Sequence, residues 1–500
     1  MSDRARTALA FGIIIGVLLI WTFLNRPAQR TAITEQTVED TIIPQPAVPA
    51  EEPVPVIEDT IVIERPHIRV VLSNYGGSVS SFYLKDYEID IVPPGRRLFV
   101  SPLEDSLQNQ LHASYTVTDD SVTFRFPDGK STIAKTYHFD NDHGFSIRVE
   151  SGNSAQILNL RSGLNITETR NPADDMRNFN VYVKNEKLEN VTKNIKDAFT
   201  YAGKLGWFAL RTKYFVLSVD NNAGIDTVWF YKLSEDLEAV EKISSSFGCY
   251  YMGGAKNRYG AAIKGRGDID LTVRLMPMDN DLLAQYNKGY EEINSGGFWG
   301  PISKVIMAIL NFMYSVLKNY GFAIMIFALL IKLVFFPLSR QMILSQHKMQ
   351  LVQPELKKIQ QKYKDDPQRL NQEMMHLYKT YKVNPLSGCL PLLIQMPIFF
   401  ALFRTLTTSI EFRQANFLFW ITDLSLKDPY YVLPISMGVM MLVQSLTTTI
   451  DPRQRLMVIF MPIVMVWIFI GLPSGLQLYW FTYNILTLIE HFVTKRGGLK

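Results

Sequence analysis

Two hydrophobic rhythms divide the chain. Between residues 60 and 295 apolar and polar positions alternate in short runs, whereas beyond 320 apolar residues join into stretches of bilayer length. Alternation with period two predicts half-buried strands, because successive strand side chains face opposite sides. The runs are Ile68–Leu72, Val79–Leu84, Ser121–Phe126, Ile133–Phe139, Phe145–Glu150, Ile225–Tyr231 and Ile269–Leu275. Pro127-Asp128-Gly129-Lys130 and Asn141-Asp142-His143-Gly144 supply hairpin chemistry. Together they predict a β-sandwich larger than an immunoglobulin domain over 60–295. It ends in an expected helix, since Leu282, Leu283, Tyr286, Tyr290 and Ile293 follow Asp279-Asn280-Asp281 at helical spacing.

The long apolar runs predict membrane helices. Leu9–Leu24, behind Arg4 and Arg6 and with no small-x-small cleavage site, reads as an uncleaved signal anchor within 1–26. Residues 27–59, rich in proline, glutamate and threonine, read as a flexible periplasmic linker. Five further spans are expected at 320–338, 387–410, 431–450, 456–472 and 475–493, for six crossings in all. The segment 339–384 carries Arg340, Lys348, Lys357, Lys358, Lys362, Lys364, Arg369, Lys379 and Lys382, so it belongs on the cytoplasmic side. Arg453 and Arg455 mark the next inside loop, and the short basic tail 494–500 carries Lys495, Arg496 and Lys500. Both termini then lie in the cytoplasm and the β-domain in the periplasm. Between domain and core, 296–319 has a wide apolar stripe opposed by Lys304, Asn311 and Lys318, which fits an amphipathic helix lying in the interface.

Within 339–384, Met342, Met349, Val352, Leu356, Ile359 and Tyr363 keep helical spacing. Asp365-Asp366-Pro367 breaks it, and Leu370, Met374, Leu377 and Tyr381 resume it. This is a two-helix hairpin whose solvated face, with Lys357, Lys358, Lys362, Asp365, Asp366 and Arg369, is also a candidate docking surface.

Composition narrows the chemistry. A chain of 500 residues with 47% hydrophobic content and net charge +4 suits a protein divided between membrane and water. Cys249 and Cys389 fall in different regions, so no disulfide is expected. Gly129-Lys130-Ser131 lacks the first glycine of a phosphate-binding loop, Phe124 standing there, and a hairpin turn explains it better. There is no HExxH and no CxxC, and His138 and His143 lack an acidic helix partner. The expectation is a non-enzyme with no cofactor or metal, no nucleotide hydrolysis and no nucleic-acid sequence recognition.

Polar residues inside the spans point to function instead. Lys332 interrupts the 320–338 run, at a cost of ~2.5 to 3.5 kcal/mol at helix centre. In a helix running from outside to inside its side chain starts out aimed deeper, which favours a polar cavity over snorkelling. No Asp or Glu lies in the central part of any expected span, so water, lipid phosphate or an incoming acidic ligand is expected to solvate it. Gln395, Gln444, Thr447, Thr448, Gln477 and Asn484, with Tyr479 and Trp480 adjoining, complete the polar set. For each amide and hydroxyl alone, interhelical hydrogen bonding is the more ordinary role.

The run from Lys382 to Phe403, KVNPLSGCLPLLIQMPIFFALF, then Asp428-Pro429-Tyr430-Tyr431 and Leu472-Pro473-Ser474-Gly475, resembles the YidC/Oxa1/Alb3 family of membrane protein insertases in its Gram-negative form. The resemblance covers the whole architecture: signal anchor, periplasmic β-domain, basic hairpin and five-span core. It implies a polytopic α-helical membrane protein with a periplasmic β-supersandwich akin to sugar-epimerase folds, without their activity. It also implies a hydrophilic groove open to cytoplasm and lipid, with Lys332 standing where the family has arginine. Lysine keeps the charge and loses the bidentate fork. By the same resemblance Gln395 and Gln444 match groove positions and Trp480 a client-contacting one. The implied partners are nascent membrane proteins, membrane lipids, the Sec translocon, the ribosome and the signal-recognition-particle receptor, although a tail this short weakens ribosome binding through it.

Two rival classes remain open from the residues. A secondary transporter would bind a small anion at Lys332 but should show repeated halves or a broken-helix pair. A periplasmic binding module would need the membrane part only as its anchor.

Overall fold

The computed structural model describes residues 58–100, 112–128, 131–140, 143–151, 155–160, 162–168, 172–233, 257–294, 297–364, 366–381, 383, 390–448 and 455–497. The expected anchor, the linker up to residue 57, Cys249, Asp365, Cys389 and the last three residues of the tail lie outside the described residues.

The alternating runs are strands. β1 (Thr60–Glu64), β2 (Ile68–Ser73), β3 (Ser78–Leu84) and β4 (Ile89–Asp90) form an antiparallel sheet in sequence order. A larger sheet follows the order β11-β10-β13-β14-β15-β8-β7-β6-β5, with β12 on β14 and β9 on β15. Its members are β5 (Ser114–Val117), β6 (Ser121–Asp128), β7 (Ser131–His138), β8 (Gly144–Glu150), β9 (Ala155–Leu160), β10 (Asn180–Lys184), β11 (Leu188–Asn190), β12 (Ala198–Ala202), β13 (Trp207–Arg211), β14 (Phe215–Leu233) and β15 (Arg258–Pro277). One face of each sheet is apolar by alternation, and the two sheets close over a shared core. Phe82 and Phe145 meet there at 5.2 Å between ring centroids, with Phe124, Tyr137 and Phe139 around them.

The run Ile225–Tyr231 is only half of its strand. β14 continues through register shifts between Asn221 and Thr227, and Gly224 at φ +86° carries the bend. A Cβ at Gly224 would stand 2.1 Å from the Asp268 carbonyl oxygen, so only glycine fits.

After the short α1 (Pro172–Asn178), α2 (Asn280–Gln285) opens where Asp279 accepts from the amides of Asp281 and Leu282. The closing helix expected through Ile293 is divided. Asn287 (φ 53°) and Gly289 (φ 77°) turn the chain, and Tyr290–Asn294 forms a separate 3₁₀ turn.

The remaining helices are α3 (Gly300–Leu317), α4 (Tyr320–Val334), α5 (Phe336–Lys362), α6 (Pro367–Thr380), α7 (Leu390–Thr408), α8 (Val432–Thr448), α9 (Arg455–Phe469) and α10 (Ser474–Gly497). α3 packs on α4 and α7, α4 on α10, and α8 on both α9 and α10. Ile324, Phe327, Leu402, Leu406, Leu476 and Tyr479 fill the centre. Outward faces stay apolar, as at Val316, Leu333, Val334, Val439, Ile463 and Val493. By length and composition, among the described helices only α3, the one expected to lie flat, is apolar and long enough to cross a membrane. A second span is counted if α4 and Phe336–Met349 form one bent unit, while α8 and α9 contain shorter apolar stretches. These lengths do not establish six crossings.

The apolar run 320–338 is not one helix. α4 stops at Phe335, and α5 departs at 66° with Pro337 in its first turn, where a missing amide costs nothing. α5 and α6 then form the expected hairpin, closed by Val352, Leu356, Leu377 and Val383. Asp366 caps α6 by accepting from the Arg369 amide at 3.1 Å. Tyr381 leaves the expected seam and donates to Glu355 at 2.8 Å.

Domain and helices touch where α7 ends. Ile410 is buried in the β-domain core, and Arg413 donates to the Thr167 carbonyl at 3.4 Å.

Candidate functional site

Lys332 lies on the last turn of α4 and is buried, 5% exposed. Its ammonium sits 2.6 Å from Glu490 Oε2, donates to Thr487 Oγ1 at 2.9 Å and to Ser339 Oγ at 3.3 Å, and stands 4.8 Å from the Tyr483 ring centroid. Ser339 in turn donates to the same Glu490 oxygen at 2.6 Å. The cluster joins three helices, because the break at Phe335 leaves Ser339 of α5 beside Lys332, seven residues before it on α4. An ammonium has three donors, and here each has an acceptor.

This corrects the expectation that the bundle holds no counter-ion. Glu490 falls in the final turn of the run 475–493, where a carboxylate reads as interfacial, yet α10 continues to Gly497 and buries it. The signal was present in sequence as the only acidic residue of that run, with Tyr483 and Thr487 at helical spacing before it.

Along α10, Trp480, Asn484, Thr487 and Glu490 recur at intervals of four, three and three residues, which aligns them on one face. Trp480 Nε1, Asn484 Nδ2 and Glu490 Oε1 are buried and find no hydrogen-bond partner among the described residues. A row of unpaired donors and acceptors in an apolar bundle is costly and leaves capacity for another polar chain. Trp480 packs edge-on to Phe399, at 5.4 Å, and lies 5.2 Å from Phe469.

The other expected residues divide. Gln395 is buried and donates to the Tyr479 hydroxyl, binding α7 to α10. Gln477 donates to the carbonyls of Phe469 and Leu472, at 2.8 and 2.9 Å, and so closes the C-terminal end of α9 rather than facing Lys332. Gln444 is half-buried on α8, and the Thr447 side chain lies outside what is described. On the hairpin, Lys358, Lys362, Asp366 and Arg369 are exposed and Lys357 half-buried. Lys362 and Arg369 both lie over the Tyr363 ring, at 5.2 and 5.5 Å.

At the opposite end of the bundle the two proline-containing motifs are each bonded to the segment 420–426. Asp428 accepts from the Leu433 amide at 2.7 Å and from Trp420 Nε1 at 3.0 Å, which starts α8. Ser474 donates to the Asp423 carbonyl at 2.9 Å, and the Gly475 amide to Leu424 at 3.0 Å. These bonds tie the loops into a lid away from Lys332.

One further cluster was not foreseen. His67, Asp86 and His143 bring potential ligand atoms within 4.8 Å of one another, with His67 Nδ1 2.8 Å from Asp86. The two imidazoles are stacked at 9° and 4.7 Å. Ligand lone pairs lie in the ring plane, so two parallel rings do not converge on one ion. The arrangement is a carboxylate-anchored histidine stack.

Comparison with known proteins places this architecture among inner membrane proteins. The model of the 60Kd inner membrane protein family matches residues 312–499. The chain is 33% identical over 455 residues to the membrane protein insertase YidC of Geobacter sp. (strain M21), covering 84% of this chain and 82% of that one. It is 32% identical over 464 residues to that of Citrifermentans bemidjiense, covering 85% and 83%. A crystal structure described as an active YidC insertase with the first transmembrane domain resolved is 20% identical, with TM-score 0.41, covering 87% and 92%. The chain belongs to the YidC family.

Proposed function

We propose that this protein is a membrane protein insertase and chaperone of the bacterial inner membrane, working without nucleotide hydrolysis. In this reading six helices cross the bilayer, the β-domain lies in the periplasm, and the hairpin and both termini lie in the cytoplasm. The outward apolar faces of α4, α8, α9 and α10 support contact with lipid. The observation that carries the functional reading is the polar face of α10, which runs from the unpaired Trp480 and Asn484 atoms to Glu490 at Lys332, inside an otherwise apolar bundle.

Energetics assign that face its task. Each Leu, Ile, Phe or Val of an entering helix contributes roughly −0.3 to −0.6 kcal/mol, so insertion itself is downhill. Carrying a charged tail through hydrocarbon costs ~2.5 to 3.5 kcal/mol per charge, and that is the barrier. Buried donors and acceptors along α10 shorten the dry path and lower the barrier without supplying driving force. Lys332, Gln395, Gln444, Tyr479, Trp480 and Asn484 line or brace the route, with Gln477 holding α9 in place.

The basic hairpin, with Lys357, Lys358, Lys362, Asp365, Asp366 and Arg369, serves as the docking surface for partners that deliver or receive clients. By family resemblance these are the ribosome, the signal-recognition-particle receptor and the Sec translocon.

The test is insertion of a short single-span client into liposomes containing only the purified protein, scored by protease protection. Protection above that in empty liposomes is expected. Transport of small anions without client insertion would favour the secondary transporter and overturn the proposal.

A further inference from the structure

We propose that Glu490 is an internal stand-in for the client's carboxylate: it occupies Lys332 at rest, and an acidic tail engages the cation only by displacing it. This rests on the insertase reading and specifies how its site selects clients. A bare lysine would attract any acidic tail. Lys332 is not bare, since its three donors are taken by Glu490, Thr487 and Ser339.

The three acceptors are not equally replaceable. Thr487 is fixed on its own helix by donating to the Tyr483 carbonyl at 2.8 Å. Ser339 accepts from Lys332 while donating to Glu490, so it follows the carboxylate. Glu490 is the one acceptor of the same chemistry as an acidic client residue. Exchange of one carboxylate for another keeps the number of buried charges constant and avoids the penalty of an unpaired ion, which otherwise makes such a site inert. The second oxygen, Oε1, is buried without a partner among the described residues, so the resting pair leaves one acceptor unsatisfied. Glu490 also lies seven residues before the end of α10, where local opening is least costly.

Specificity follows from competition. A client carboxylate must outcompete a tethered one, so weakly placed acidic residues gain little from Lys332 and only a well-positioned tail is held. Neutral tails do not contest the pair. The discrimination is a difference between two affinities for one cation.

The full-length protein in nanodiscs tests this with E490Q, which preserves shape and removes the charge. Binding of a single-span peptide with an acidic tail is compared with binding of the same peptide with a neutral tail, alongside liposome insertion of both. Unmasking Lys332 is expected to raise the acidic-to-neutral affinity ratio about tenfold. An unchanged or lowered ratio overturns the proposal. If E490Q fails to fold, the charge-swapped K332E/E490K protein decides. Wild-type stability with wild-type preference for acidic tails would reduce the pair to an interhelical clasp and overturn the proposal, whereas restored stability with that preference lost supports it. Wild type that inserts neither client removes the insertase reading, while a raised binding ratio in E490Q still establishes Glu490 as the competing carboxylate.

Discussion

Arg413, on the segment leaving α7, stands 3.8 Å from Glu168 of the β-domain, and both side chains are largely buried, 10% and 4% exposed. The pair links the two halves of the molecule, beside Ile410 in the domain core. Arg413→Ala removes this link and the bond to the Thr167 carbonyl, leaving Glu168 buried. A loss of about 1–3 kcal/mol in docking is expected. Limited proteolysis of the domain–core junction in detergent reads it, with faster cleavage expected for the variant and an unchanged rate counting against the link.

The neighbouring Glu411 makes the same junction pH-sensitive. Burial, with added repulsion from Asp279 and Asp281, raises its pKa to about 7. The folded protein then holds a proton that the unfolded chain releases above the ordinary carboxylate range. Stability falls as pH rises from about 4.5 to about 7, with a slope of at most ~1.4 kcal/mol per pH unit. Glu411→Gln is expected to flatten that slope in urea titrations at stepped pH. A parallel profile would remove Glu411 as the cause.

Lys135 gives the opposite sign. It is fully buried in the β-domain, donates to the carbonyls of Phe99 and Gly76, and has no acidic partner among the described residues, so burial depresses its pKa. The unfolded chain binds the proton more readily, and stability rises with pH up to the ordinary lysine range near 10.5, by at most ~1.4 kcal/mol per unit. Lys135→Met should abolish this alkaline gain, measured by denaturant unfolding between neutral and alkaline pH. Retention of the gain would show that another group titrates.

Gln395 and Tyr479 form a buried hydrogen bond between α7 and α10, so their substitutions should not add. Gln395→Leu alone strands the tyrosine hydroxyl, at about 1–3 kcal/mol. The double change with Tyr479→Phe removes both polar atoms and should cost less than the two single changes together. Thermal unfolding in detergent provides the cycle, and strict additivity would show that the bond contributes nothing.

Much of this was legible in sequence because the rules involved are local. Period-two runs located strands of both sheets, Asp279 announced a helix start, and the hairpin followed from spacing interrupted at Asp365-Asp366-Pro367. What escaped depends on partners distant in sequence. Lys332 and Glu490 are 158 positions apart, so a carboxylate outside the central part of its expected span became the counter-ion once α4 and α10 packed. Gln477 fits a polar pattern equally well whether it faces a cavity or closes a neighbouring helix, and only the position of Phe469 decides. His67 and His143 precede strands of different sheets, β2 and β8, and came together only through the packing of one sheet on the other, which no local motif encodes. α4 ended at Phe335 because Pro337 lacks the amide that a continuing helix would need and fits the first turn of a new one.

The 66° bend at Phe335 also has a mechanical meaning. Ser339 rides on the arm that leads out to the hairpin, while Lys332 is fixed in the bundle, with only a short pivot between them. Ser339 accepts from Lys332 and donates to Glu490, so the direction in which the hairpin arm leaves the bundle and the geometry of the buried charges are set by the same side chain.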